Sequence, residues 1–371
     1  MKFTANSSEL QRALQKIGGV IPARSIMPIL ECMLFDLTGD MLTMSATDLE
    51  INFTISLKVK GSEDGRIAIP GKRIVDTVRA MADTPLTVVT DSSSSKILIT
   101  TETGKYSLTG EDAKEFPPVE EFEAKNEFTV DSVDLKKIID CTAFAVSTDE
   151  LRPAMMGVLL QSKNKELRAV STDGHRLVRL TKNMSKAVPL ERDIIIPSKA
   201  LTLAGKSLDQ GNCTVSVSET HVRFVFDNTV LTSKLIADKY PNYESVIPLD
   251  NDKEMSVNRD AIMNSVRRVA LYASATTHQV RMALSTSGLT ISAQDQDFGG
   301  EAKEAVPSEY SGESMEIGFN ATYLFDILSH LEGEQATFKF SAPTRAGIVC
   351  PAEKKSGEDI LMLVMPVRLN N

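Results

Sequence analysis

The chain has 371 residues, a formal net charge of −9 and a hydrophobic fraction of 42%, enough for two or three globular domains with cores of their own. No apolar run approaches the roughly 18 residues that a membrane span needs. Met1-Lys2-Phe3-Thr4-Ala5-Asn6 turns polar at once, so a cytoplasmic chain without a secretory leader is expected. Cys32, Cys141, Cys213 and Cys350 lie far apart with no Cys-x-x-Cys pair, which speaks for reduced, mostly buried thiols and against a disulfide frame or a zinc site.

Taken in chain order, the first element is a helix over Ser7 to Gly18, where Leu10, Leu14 and Ile17 form an i, i+4, i+7 stripe. Ile67-Ala68-Ile69-Pro70 reads as a strand leading into a second helix, Gly71 to Ala82. Thr87-Val88-Val89 and Lys96 to Thr100 follow as short strands around the turn-rich Asp91 to Ser95. The same order then returns, with helices over Ser132 to Val146 and Ser198 to Leu208 and a strand over Val222 to Phe226. It returns once more, with helices over Asn258 to Ala273 and Ala321 to Leu331 and a strand over Thr337 to Phe340. The predicted class is α+β, with antiparallel sheets and two helices per repeat.

Shared landmarks support the repeat. Ala46-Thr47-Asp48 recurs 125 residues on as Ser171-Thr172-Asp173, and 122 further on as Ala293-Gln294-Asp295. Phe116-Pro117, Tyr240-Pro241 and Met365-Pro366 keep spacings of 124 and 125, and Pro28 and Pro153 are 125 apart. A single Thr-Asp pair is a commonplace strand end or turn. Several landmarks in one order at one period define a repeat. Three domains are therefore expected, 1–125, 126–250 and 251–371, with boundaries in the polar stretches 118–126 and 249–252.

The six predicted helices hold twelve Lys and Arg against six Asp and Glu, so they carry +6 while the rest of the chain carries −15. Basic helices without interleaved aromatics suit contact with phosphates and no reading of bases. Lys72, Arg73, Arg79, Lys136, Lys137, Lys199 and Lys206 are the DNA-facing candidates on this reading. A domain of this size is ~35 Å across; six such domains in a closed ring leave a hole of about that width, whereas three leave almost none. Two chains joined head to tail would supply the six.

Ser171-Thr172-Asp173-Gly174-His175-Arg176-Leu177, Glu316 through Leu324, Asn258-Arg259 with Arg268-Val269-Ala270-Leu271, and Val364-Met365-Pro366-Val367-Arg368-Leu369 together resemble the bacterial beta sliding clamps, the beta subunits of DNA polymerase III. The resemblance covers the whole chain. It implies a head-to-tail homodimeric ring with helices lining the hole and sheets outside. It also implies sequence-independent binding of double-stranded DNA, no catalysis, no cofactor and no metal. It implies a groove that takes short linear peptides from the DNA polymerase III catalytic subunit, the clamp loader, other polymerases and repair proteins. Its wall would comprise Thr172, Gly174, His175, Arg176, Leu177, Pro241, Val246, Asn320, Tyr323, Met365, Pro366, Val367, Arg368 and Leu369, a largely apolar surface with a few polar groups.

Arg24 matches a family position that meets DNA. The ring seam would join Lys105, Tyr106 and Leu108 to Leu271, Tyr272, Ala273, Glu301 and Glu304 of a second chain, with Lys105 facing the two glutamates. The chain departs from the family pattern at Pro153-Ala154, where two tyrosines are expected, at Ser245, where a basic residue is expected, and in ending with Asn370-Asn371. Thr172, Asp173 and His175 offer a superficial hydrolase or metalloenzyme alternative. Sequence neighbours on a strand or turn point in different directions, however, and such constellations are judged by geometry.

Overall fold

The computed structural model describes residues 1–91, 94–118, 122–295 and 299–369; Asn370 and Asn371 lie outside the described residues. Each predicted helix is present: α1 Ser7–Gly18, α2 Gly71–Arg79, α3 Ser132–Thr142, α4 Ser198–Ser207, α5 Arg259–Val269 and α6 Ala321–Ser329. α3 and α5 stop short of their predicted ends and run on as single 3-10 turns, Ala143–Ala145 and Ala270–Tyr272. The starts repeat as well. The first helix of each repeat is capped by a short polar side chain: Asn6 accepts from the Ser8 amide, Asp131 from Val133 and Asn258 from Ala261, each at 2.9 Å. Each such cap stabilises by ~1 kcal/mol.

The Thr-Asp landmark is a hairpin lock. Thr47 Oγ1 accepts from the Leu49 amide at 3.0 Å, and Asp48 Oδ1 accepts from Glu50 at 3.1 Å and Ile51 at 2.7 Å. Thr172 and Asp173 make the same three bonds, to the amides of Gly174, His175 and Arg176, at 3.1, 2.8 and 2.9 Å. The turn's orphan N–H groups are thereby satisfied without a long loop.

The chain forms two compact units, Met1–Lys136 with Lys199–Leu235, and Lys137–Ser198 with Ile236–Asn371. The first holds a five-stranded antiparallel sheet in the order Lys60–Glu63, Lys2–Asn6, Pro85–Asp91, Lys96–Thr100, Lys105–Thr109. Its eight-stranded sheet runs Asn126–Asp131, Asn212–Val217, His221–Phe226, Thr229–Lys234, Ile51–Lys58, Met41–Thr47, Cys32–Thr38, Gly65–Pro70. In the middle of that sheet the second repeat meets the first, with Leu231 opposite Phe53. Behind this joint α1 meets α4: a Cβ on Gly19 would lie 2.6 Å from a Leu203 methyl, so a larger residue there would push the Leu203 side chain aside. Lys16 Nζ donates to the Ser207 carbonyl at 3.1 Å and pairs with Asp209 at 3.3 Å. Phe3, Leu10, Leu14, Ile17, Phe35 and Phe53 are fully buried.

The second unit holds a nine-stranded antiparallel sheet in the order Ile194–Pro197, Gly157–Lys163, Glu166–Thr172, Arg176–Asn183, Glu358–Val364, Gly347–Pro351, Gln335–Phe340, Lys253–Asn258, Ser308–Ser311. Its four-stranded sheet runs Gly300–Val306, Gly288–Asp295, Gln279–Ser285, Met315–Asn320. Here the third repeat meets the second, with Leu363 opposite Leu177, and α3 meets α6. Phe144 stacks on His330 with ring centroids 4.0 Å apart. Both units thus contain one joint of the same design: a strand following the hairpin lock pairs with the last strand of the next repeat, and a first helix packs on a second helix.

Lys137 anchors the second joint. Its ammonium, with only 14% of the side chain exposed, lies 2.8 Å from Glu332 and 2.5 Å from Glu358. Burial opposes the charged forms, yet the mutual hydrogen bonds win, holding Lys137 above and Glu332 below their ordinary values. Lys137→Met leaves the nearly buried Glu358 with Lys182 at 3.7 Å. We expect a loss of about 3 kcal/mol in urea unfolding at neutral pH. The carboxylate's share is present above its ordinary value of 4.5 and fades as pH falls through the depressed folded value. The lysine's share is complete below 10.5. The gap between wild type and variant should therefore stay constant across the neutral range and narrow below about pH 4.5 and again above about pH 10.5.

Candidate functional site

The hairpin from Thr172 to Leu177 is built on the second joint. Arg176, mostly buried, is its centre. Its guanidinium donates to Asp173 at 3.0 Å, to Asp326 on α6 at 2.5 Å and to the Phe144 carbonyl at 2.9 Å. It also lies over the rings of Phe144 and Tyr323, 5.2 and 5.0 Å from their centroids. A planar fork with several donors suits three acceptors at once, which an ammonium does not. At the hairpin tip Gly174 has φ +90°, and a Cβ there would lie 3.2 Å from Arg152 Nη1. The positive φ is what calls for glycine there.

The third repeat closes the other side. The Met365 amide donates to the His175 carbonyl at 2.8 Å, and the Val367 amide to Gly318 at 2.9 Å, which ties the C-terminal segment to both walls. His175 stacks on Tyr323 with centroids 5.7 Å apart. Burial first, then the Asp173 charge, raises the Tyr323 phenol above the usual range. Met365, Pro241, Val246, His175 and Arg368 are exposed, and Tyr323, Pro366, Val367 and Leu369 are half-buried.

Three predicted groove residues play another part. Leu177 is 1% exposed and belongs to a core cluster with Ala154, Leu159 and Val170, where it lies opposite Leu363 of the neighbouring strand. Thr172 is buried and its hydroxyl donates to the Arg176 carbonyl at 2.7 Å. Asn320 caps α6, accepting from the Thr322 amide at 2.9 Å. Phe144, Arg152, Asp173 and Asp326 join the site without having been predicted for it. Asp326 follows Tyr323 by three residues on α6, a spacing that shares one helix face and is the signal the sequence offers. Ala154, where a tyrosine is expected, is buried in the same cluster as Leu177. Ser245 bonds its hydroxyl to the Asn242 carbonyl at 2.7 Å.

The trio behind the enzymatic alternative does not assemble. The Thr172 hydroxyl serves a backbone carbonyl, Asp173 serves turn amides and Arg176, and the His175 ring lies on Tyr323.

Among the described residues, Arg24, Lys72, Arg73, Lys136 and Lys206 are exposed and form no ion pair. Arg79 pairs with Asp76, and Lys199 with Asp48. Lys137 lies between two carboxylates, leaving little of its charge for a phosphate. At the predicted seam, Lys105–Thr109 and Gly300–Val306 are both edge strands. Tyr106, Leu271 and Tyr272 are 40%, 80% and 47% exposed. Glu304 is already held by Nε and Nη2 of Arg268, at 2.8 and 2.7 Å, which draws its carboxyl below the ordinary range.

A thrice-repeated two-helix unit, with its polar side chains locking hairpins and joints, defines a scaffold that joins one repeat to the next through sheet edges. The family of DNA polymerase III beta subunits matches along the chain: its N-terminal domain over residues 1–120, its central domain over 129–242 and its C-terminal domain over 244–368. The beta sliding clamp of Caulobacter vibrioides is 31% identical over 356 residues, covering 94% of this chain and 95% of its own. That of Chlamydia muridarum is 29% identical over 372 residues, covering both chains in full. The crystal structure of a sliding clamp from Bartonella birtlesii bound to griselimycin superposes with a TM-score of 0.93 at 29% identity, with both chains fully covered. The chain belongs to the DNA polymerase III beta subunit family, and its function is that of a DNA sliding clamp, a processivity factor without catalytic activity.

Arg176→Lys keeps the charge and removes the fork. We expect about 2 kcal/mol of lost stability in chemical denaturation, accompanied by faster hydrogen exchange at the amides of residues 173–176.

Proposed function

We propose that two copies of this chain close head to tail into a ring around duplex DNA. The groove beside Met365 then receives short linear peptides from the replicative polymerase, the clamp loader and other polymerases and repair proteins, in the cytoplasm. One observation carries the ring. The repeat-to-repeat joint occurs twice within the chain, and the two halves of a third stand at open edges. The strand after the third landmark, Gly300–Val306, ends one sheet, and the last strand of the first repeat, Lys105–Thr109, ends another. Exposed edges invite strand pairing. The first joint pairs Ile51 with Ser233 and Asn52 with Thr232. Transferred to the third, it sets Gly300 opposite Leu108 and Ala302 opposite Tyr106 of the second copy. Lys105 then lies diagonal to Glu301, while Glu304 stays with Arg268. A heterologous joint of this kind closes at two chains, because the six repeats complete the rotation.

Arg24, Arg73, Lys136 and Lys206 are the cations best placed to meet phosphates, since none has an ion-pair partner at home among the described residues. For the groove, Met365 offers an adaptable apolar surface, Val246 and Pro241 add exposed apolar area, and His175 and Arg368 supply polar contacts.

Light scattering across a micromolar-to-nanomolar dilution should give twice 40.5 kDa; a monomer at every concentration would sink the ring. Met365→Glu should weaken binding of a polymerase tail peptide at least tenfold, measured by fluorescence anisotropy, with particle mass unchanged, because its side chain is 39% exposed. Leu177 is unsuitable for this purpose, since a charge there unfolds the core. Replacing Arg24 and Lys206 with Glu should reduce the slope of log affinity against log salt by about 0.9 for each phosphate that is no longer neutralised. An unchanged slope would remove those two residues from the DNA face.

A further inference from the structure

Resting on the two-chain ring, we infer that Lys72 fastens the joint between chains: its ammonium bonds the Tyr272 carbonyl and the Asp295 carboxylate of the second copy and is not a phosphate contact. The first joint supplies the pattern. Lys199, two residues after Pro197, sends Nζ to the Val20 carbonyl at 3.4 Å and to Asp48 Oδ2 at 2.5 Å. One lysine thus grips both the chain leaving the first helix and the hairpin lock of the repeat before it.

Every member of that arrangement has a counterpart at the third joint. Lys72 stands two residues after Pro70, which precedes α2 as Pro197 precedes α4. Val20 follows the Asn6 cap by fourteen residues, and Tyr272 follows the Asn258 cap by fourteen. Asp295 closes its strand pair opposite Gly300, as Asp48 does through its amide bond to the Ile51 carbonyl. Asp48 serves its own turn with Oδ1 and Lys199 with Oδ2, so one carboxylate in this position performs both tasks. The second joint lacks the arrangement: Thr322 holds the lysine position, and Arg176 engages Asp173.

The partners of Lys72 are missing at home for a topological reason. Lys199 finds them in the preceding repeat of its own chain. The repeat that precedes the first, around the ring, belongs to the other copy. Lys72 is accordingly exposed and without an ion pair among the described residues. It also sits in the first turn of α2, where the helix dipole disfavours a cation, as Lys199 does in α4. In both helices an acceptor beyond the helix answers that cost.

The test uses the full chain. Lys72→Glu, Asp295→Asn and the double variant are compared by dimer dissociation constant and by retention on nicked circular DNA. Asparagine keeps the shape of the side chain and one acceptor oxygen, and drops the charge. We expect Asp295→Asn to raise the dissociation constant about fivefold, the conversion of roughly 1 kcal/mol for a largely exposed pair. Lys72→Glu should raise it further, and the double variant should dimerise better than Lys72→Glu alone. Strictly additive effects, or wild-type dimerisation of Lys72→Glu with reduced DNA retention, would overturn the assignment and return Lys72 to the phosphates. Either result leaves the ring standing. A wild-type chain that stays monomeric would instead remove the ring and this inference together.

Discussion

The open edge of a β-sheet is the constraint on which this molecule depends. Each repeat carries strands whose outer N–H and C=O groups need partners. Twice within the chain the neighbouring repeat provides them, through Ile51–Lys58 with Thr229–Lys234 and through Arg176–Asn183 with Glu358–Val364. The helices follow the sheets: Gly19 lets α1 approach Leu203 on α4, and Phe144 beside α3 stacks on His330 beyond α6. The same hydrogen-bonding demand that leaves a sheet edge open is what holds the repeats together inside the chain.

The second joint also fixes the hairpin at its edge. The hairpin from Thr172 to Leu177 is held from below by Arg176, which reaches Asp173, Asp326 and Phe144 at once. With that guanidinium engaged, the tip is left to present Gly174 and His175, and the C-terminal segment is pinned beside it by backbone bonds from Met365 and Val367. The surface between them is thereby fixed by backbone and guanidinium bonds.

Charge has been divided between two tasks. Lys137 and Lys199 look like phosphate ligands when read along a helix, but each lies within 2.5 Å of a carboxylate in the folded chain. Those cations belong to the joints. The net positive charge of the helices therefore overstates what they offer to any partner outside the chain.

The period of the landmarks, the six helices and the antiparallel class are all legible in the sequence, because caps, apolar stripes and Pro-ended strands are local signals whose physics acts within a few residues. The Thr-Asp motif is visible there too, though not its purpose, which emerges only as hydrogen bonds to its own turn. Which side of a strand faces the groove is decided by tertiary packing: Leu177 reads as surface and is core, since its neighbours in space, Ala154, Leu159 and Leu363, are remote or unpaired in sequence. The carboxylates that hold Lys137, and the Asp326 that holds Arg176, are hidden for the same reason, lying 150 to 221 residues away. The sequence by itself determined three copies of one unit. Only the tertiary structure decided which cations those copies use on each other, because an ion pair depends on distance in space and a sequence records distance along the chain.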